Sequence, residues 1–218
     1  MNYWSRPELL NRRSPIHPSI YNFVFSKINL IKKRINFDLI CNGLEIGCGN
    51  GYFTYQLKKI IPKLIGIDSS SLMLNLCRKI NNFDLIIGSG FKLPFKDHSF
   101  DLVFSANLIH HVNNPSELIR EIKRVTRKYY VLVEPNRNNF LMSLFAFFNK
   151  NERNLLKFSL SYLKKLLLVQ KFQIIDSFST GIIAPNKLPA LFTTFFKIGD
   201  LKKVKFGLYN IIISKNNY

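Results

Sequence analysis

The residues best placed to do chemistry are three closely spaced glycines and the two acids that flank them. Leu44-Glu45-Ile46 is a short apolar run that leads straight into Gly47-Cys48-Gly49-Asn50-Gly51, and a helical pattern follows from Tyr52 to Ile61. A strand that turns through glycines into a helix brings backbone N–H groups close to a ligand, and the missing Cβ atoms leave that ligand room. Asp68, seventeen positions beyond Gly51, closes a second apolar run, Lys63 to Ile67. An acid at that point of a βαβ unit can accept hydrogen bonds from ribose hydroxyls. The pattern therefore points to an adenosine-type cofactor. The dinucleotide fingerprint G-x-G-x-x-G does not fit, because the third residue after Gly49 is Tyr52 and the third glycine is Gly51.

Other reactive side chains are less specific. His110 and His111 stand together after an apolar run, where such a pair packs and bonds locally more often than it serves as a base. Asp101 reads as structural, and Tyr129 and Tyr130 as strand packing. Cys41, Cys48 and Cys77 form no C-x-x-C pair and are odd in number, so neither a disulfide framework nor a metal set is expected. A reducing cytoplasm is the simplest location for such a chain. No spacing rule selects a catalytic residue.

These residues need a frame, and the rest of the chain supplies one. Ser19 to Arg34 has apolar residues at helical spacing with cations at its far end, which suits the helix dipole. Tyr130 to Pro135 reads as a buried strand, Leu160 to Val169 as a helix, and Gln173 to Phe178 and Leu208 to Ser214 as late strands. Asn139 to Phe148 is apolar nearly all round, and Leu188 to Phe196 repeats that character. A helix of this kind must be buried or cover something apolar.

The run E-x-G-x-G-x-G from Glu45 resembles the first motif of the class I S-adenosylmethionine-dependent methyltransferases. Ile67-Asp68-Ser69-Ser70 with Met73 resembles their second motif. Gly88 to Val103, Asn107 to Val112 and Glu121 to Val125 are similar to the later motifs of the branch that holds ubiquinone-type, sterol and many small-molecule methyltransferases. The likeness covers roughly Leu44 to Asn136. It implies an α/β fold: a Rossmann-like seven-stranded sheet, mostly parallel with an antiparallel last strand, and helices on both faces. It implies S-adenosyl-L-methionine as cofactor, with Gly47, Cys48, Gly49 and Gly51 as the loop beneath it. Glu45 would face the methionine ammonium, Asp68 and Ser69 the ribose, and Ser89 and Gly90 the adenine. Asn107 would border the methionine end with Ser105 and Ala106. Ser89 departs from the acid common at its position, and Arg127-Lys128-Tyr129-Tyr130 departs from the usual lysine-proline-glycine turn, so that connection should be shorter. Lys171 stands near the place where a glycine often closes the preceding helix.

With 218 residues, 47% of them apolar, one generous domain is expected. The organisation reads as a helical cap over 1–35 and a methyltransferase domain over 36–218, with apolar lid segments at about 137–151 and 181–205. Thirty-two Lys and Arg against 13 Asp and Glu give a net charge of +19, a field that attracts polyanions. Nucleic acid methylation is the rival, but no N/D-P-P-Y/W sequence follows the fourth strand, where Ser105-Ala106-Asn107-Leu108 stands. The basic clusters are scattered rather than gathered into one arm. The favoured partner is a small, partly apolar acceptor, with transient contact at an anionic membrane surface compatible with the charge. An RNA methyltransferase and a catalytically silent binding subunit are the alternatives. No stretch reaches the roughly 18 to 20 apolar residues of a membrane span, and the first residues lack the apolar core of a secretory signal.

Overall fold

Apolar residues run almost without interruption through the central strands, as they must in strands buried on both faces. The computed structural model describes residues 14–181 and 203–217. Its elements are α1 (Pro18–Lys32), β1 (Asn42–Ile46), α2 (Thr54–Leu57), β2 (Lys63–Asp68), α3 (Ser71–Arg78), β3 (Asp84–Ile87), β4 (Phe100–Ala106), α4 (Pro115–Val125), β5 (Thr126–Pro135), α5 (Phe140–Phe148), α6 (Leu160–Val169), β6 (Phe172–Thr180) and β7 (Tyr209–Asn216). The seven strands form one sheet in the order β3-β2-β1-β4-β5-β7-β6. Strands β1 to β5 pair in parallel, and β7 runs antiparallel to both β5 and β6. This is the mostly parallel, Rossmann-like sheet with an antiparallel last strand that the motifs imply.

Alternation along the strands divides the core. Phe104, Val131 and Ile213 share a register row and face α1 and the turns around α2, packing with Ile20, Phe23, Val24 and Phe53. Val103, Tyr130 and Leu132 face the other way, onto Leu118, Ile119 and Ile122 of α4 and Leu163 and Leu167 of α6. The amphipathic helix expected near the N-terminus is thus one side of the central core. Side-chain caps fix the helix starts: Ser70 accepts from the Met73 amide, Asn114 from Glu117 with Pro115 at the first helical position, and Ser159 from Tyr162.

Three local outcomes sharpen or correct the expectations. The helical pattern from Tyr52 to Ile61 yields only a four-residue α2; i→i+3 bonds such as Gln56 N to Phe53 O (3.0 Å) interleave with i→i+4 bonds up to Ile61, where Pro62 follows. Between α4 and β5 there is no loop at all, since Val125 ends one and Thr126 begins the other. Two supports replace the turn: Asp101 accepts from Arg127 Nη2 at 2.7 Å and from the amides of Cys41 and Asn42, and Thr126 Oγ1 donates to Ile122 O at 2.6 Å. The third concerns α5, which buries Met142 and Ala146 but leaves Phe140, Leu141, Leu144, Phe145, Phe147 and Phe148 exposed. Leu188 to Phe196, the other apolar segment, lies outside the described residues.

Candidate cofactor site

The carboxyl ends of β1, β2 and β4 converge where the strand order reverses, between β1 and β4. Open α/β sheets hold ligands in the crevice at that point. A cavity of about 190 Å³ occupies it, walled by the glycine loop, the tip of β2, residues 88–91, residues 106–108 and residues 111–112. Of the residues singled out in the sequence, Glu45, Gly47, Cys48, Gly49, Asp68, Ser69, Ser89, Gly90 and Asn107 all line it. Gly51 does not. Ser105 does not either: its hydroxyl is buried against Tyr130 Oη at 2.7 Å.

The loop makes room more than it offers donors. The amides of Gly47 and Cys48 donate to Ile67 O at 2.8 and 3.2 Å, and the Gly49 amide donates to Asp68 Oδ2 at 2.8 Å, so all three are engaged within the fold. The glycines serve by lacking side chains. A Cβ at Gly49, which has φ +54°, would meet no atom within 4 Å, so that position opens directly onto the cavity. At Gly51, with φ +89°, a Cβ would lie 2.6 Å from Cys77 Sγ, so this glycine lets α3 pack against the loop.

Asp68 braces the loop and keeps capacity for a ligand. Its Oδ1 accepts from Ser70 N at 2.8 Å and its Oδ2 from Gly49 N, and the Ser69 amide also bonds the carboxylate. A carboxylate has about four acceptor positions, so ribose hydroxyls can still be accommodated. Burial nevertheless raises its pKa, against the lowering effect of those amides. Glu45 is buried at the end of β1 and accepts from Thr54 Oγ1 at 2.7 Å. Desolvation pushes its pKa up to about 8, with a further rise from Asp68. A cation in the cavity would stabilise the ionised form. Cys48 and Cys77 are neutral thiols, the latter pushed up to about 12 by burial, so neither is an activated nucleophile.

Several cavity residues escaped the sequence reading. Phe91, Leu108, Val112 and Leu118 give an apolar wall, and His111 stands among them. Asn107, with φ +52° in the left-handed region, turns the chain from β4 into that wall, and its amide donates to Val133 O at 2.9 Å. No residue of 137–151 lines the cavity. His110 instead points inward. Burial lowers the basicity of its ring, but Glu134 at 2.5 Å and Glu152 at 3.2 Å outweigh that and push its pKa up to about 9.

Residues 44–132 match the family described as a methyltransferase domain. These matched residues carry a class I S-adenosylmethionine-dependent methyltransferase domain. A structure from Thermotoga maritima, titled as an SAM-dependent methyltransferase and possible histamine N-methyltransferase, superposes on this class I methyltransferase domain with a TM-score of 0.70 and 25% identity, covering 91% of each chain. Among curated relatives, the demethylmenaquinone methyltransferase of Thermotoga maritima is 30% identical over 115 residues, 49% of this chain and 50% of that one. The tRNA U34 carboxymethyltransferase of Nautilia profundicola is 34% identical over 106 residues, 45% of this chain and 35% of that one. The chain thus spans about a third to a half of the curated relatives' length. The cofactor of this methyltransferase class is S-adenosyl-L-methionine, and the cavity fits it: open space over Gly49, a buried carboxyl for an ammonium, and an acid with spare acceptor positions for a ribose.

Proposed function

We propose that the chain transfers the methyl group of S-adenosylmethionine to a small, partly apolar acceptor. The observation that carries this reading is the gathering of Glu45, Gly49, Asp68 and Ser89 at one cavity whose far wall, Phe91, Leu108, Val112 and Leu118, is apolar. Glu45 receives the methionine ammonium, and Asp68 with Ser69 takes the ribose hydroxyls. Ser89 and Gly90 border the adenine, where a hydroxyl accepts without the charge assistance of a carboxylate. Gly47, Cys48 and Gly49 form the floor, Gly51 holds the loop against α3, and Asn107 closes the methionine end.

When bound, the cofactor supplies an electrophilic methyl on a positively charged sulfur. The protein then has to hold an acceptor in line with that methyl and exclude water. The apolar wall does the second task. The segments 137–151 and 181–205 are proposed as the acceptor-side lid; the exposed aromatics of α5 support this for the first of them.

A second reading, methylation of RNA, is favoured by two specific observations: the net charge of +19 and relatives named as a tRNA U34 carboxymethyltransferase and a tRNA (carboxymethyluridine(34)-5-O)-methyltransferase. Incubation with S-adenosylmethionine labelled in the methyl group, in the presence of a cell extract, separates the two. Label in the organic-soluble small-molecule fraction is expected. Label that precipitates with RNA would overturn the acceptor class and leave the cofactor assignment standing.

A further inference from the structure

Two histidines and two glutamates that the cofactor reading does not use meet beside the cavity. Glu134, fully buried near the end of β5, accepts at Oε1 from the amides of Leu108 (2.7 Å) and Ile109 (2.8 Å), and its Oε2 meets His110 Nδ1 at 2.5 Å. That contact fixes the imidazole and directs Nε2 away from β5. Nε2 meets Glu152 Oε2 at 3.2 Å. Glu152 belongs to a separate element, the 3-10 segment Lys150–Lys157. The same oxygen lies 4.0 Å from His111 Nε2, and donor atoms from His110, His111 and Glu152 all fall within 4.8 Å of one another.

We propose that His110, His111 and Glu152 form a binding site for one divalent transition-metal ion of the zinc and iron(II) class, opening through His111 into the cavity, with Glu134 as a positioning residue. Three features argue for it. Donors at 2.0–2.1 Å around a tetrahedral ion stand roughly 3.3 Å apart, and the present separations need to close by only about 1 Å or less at the two measured edges. Two imidazoles and one carboxylate select borderline ions over magnesium or calcium. A carboxylate on the far nitrogen of a ligating histidine is the usual outer support of such sites, setting tautomer and orientation. A purely structural pair would need only Glu134 and His110; the second imidazole, from the neighbouring His111, and the second carboxylate, brought in from another element, complete a three-donor set with a position left open. Resting on the methyl-transfer reading, that open position would take an acceptor oxygen and lower the pKa of its hydroxyl, a task for which the sequence offers no base.

The test is a calorimetric titration of zinc(II) chloride into the chelator-treated full chain without cofactor, with cobalt(II) absorption as a check on coordination. One equivalent is expected, with intense ligand-field bands of a four- or five-coordinate ion. His111→Ala and Glu152→Gln, both near the surface, are each expected to weaken binding on the order of 100-fold with circular dichroism unchanged. Absence of stoichiometric binding, or binding that both variants retain, overturns the site and leaves the cluster as a proton-held ion network. S-adenosylmethionine titrated into the same samples reports separately: its failure to bind would sink the cofactor reading without touching the metal result.

Discussion

Glu45 carries a carboxyl that burial pushes from 4.5 up to about 8, so between those values the folded chain holds a proton that the unfolded chain releases. Its contribution to stability is therefore fully present below about pH 4.5 and declines as pH rises toward 8. Glu45→Gln is expected to flatten that decline, leaving the protein more stable at pH 8 than the parent in thermal melts taken across the window. The same substitution removes the charge that an ammonium would meet. Cofactor affinity in the parent should rise between pH 6 and 8, roughly following this ionisation, and in Glu45→Gln it should be weaker and insensitive to pH. The glycines make a contrast of the same kind. Gly51→Ala drives a Cβ to 2.6 Å from Cys77 Sγ at φ +89°, and a loss of about 2–3 kcal/mol is expected in denaturant melts. Gly49→Ala, at φ +54° but facing open space, should lose about 1 kcal/mol while impairing cofactor binding more than Gly51→Ala does. These glycines and acids were legible because chemistry and local backbone demand them at fixed spacing. His111 and Glu152 were not, since forty-one positions separate them and only packing of the Lys150–Lys157 segment brings them together.

At the scale of elements, periodicity found α6 to the residue and located β5 and the late strands with shifted ends, Thr126 rather than Tyr130 opening β5. It overestimated α2, where i→i+3 bonds break up the pattern read from Tyr52 to Ile61, whereas the shorter connection expected between α4 and β5 becomes no loop at all. The α4–β5 junction has no turn because Asp101, held down to about 2 by Lys128, Arg127 and two backbone amides despite its burial, anchors the start of β5 directly. The end of α6 shows the reverse case. Lys171, where a glycine often stands, adopts φ +60°, and its amide donates to Leu168 O at 2.9 Å, the arrangement of a left-handed helix stop. Lys171→Gly is expected to raise stability by about 1 kcal/mol in denaturant melts, with no change in cofactor binding. A loss of stability there would mean that the side chain contributes more than the strained backbone removes.

Across the whole molecule, charge and fold speak to different questions. The +19 field attracts anionic surfaces of any kind and is screened by salt. No described helix is long and apolar enough to cross a membrane, and the exposed aromatics of α5 belong to the segment proposed as acceptor-side lid. The sheet, by contrast, sets the position of the chemistry: its strand order reverses between β1 and β4, and the cavity lies at that point. Calorimetric titration of S-adenosylmethionine into the parent and into Asp68→Ala tests this most directly. One equivalent is expected for the parent, with affinity lowered roughly 10- to 100-fold in the variant, which loses charge-assisted bonds to the ribose and the brace on Gly49. No heat of binding at millimolar cofactor, or equal affinity in both proteins, would contradict the assignment.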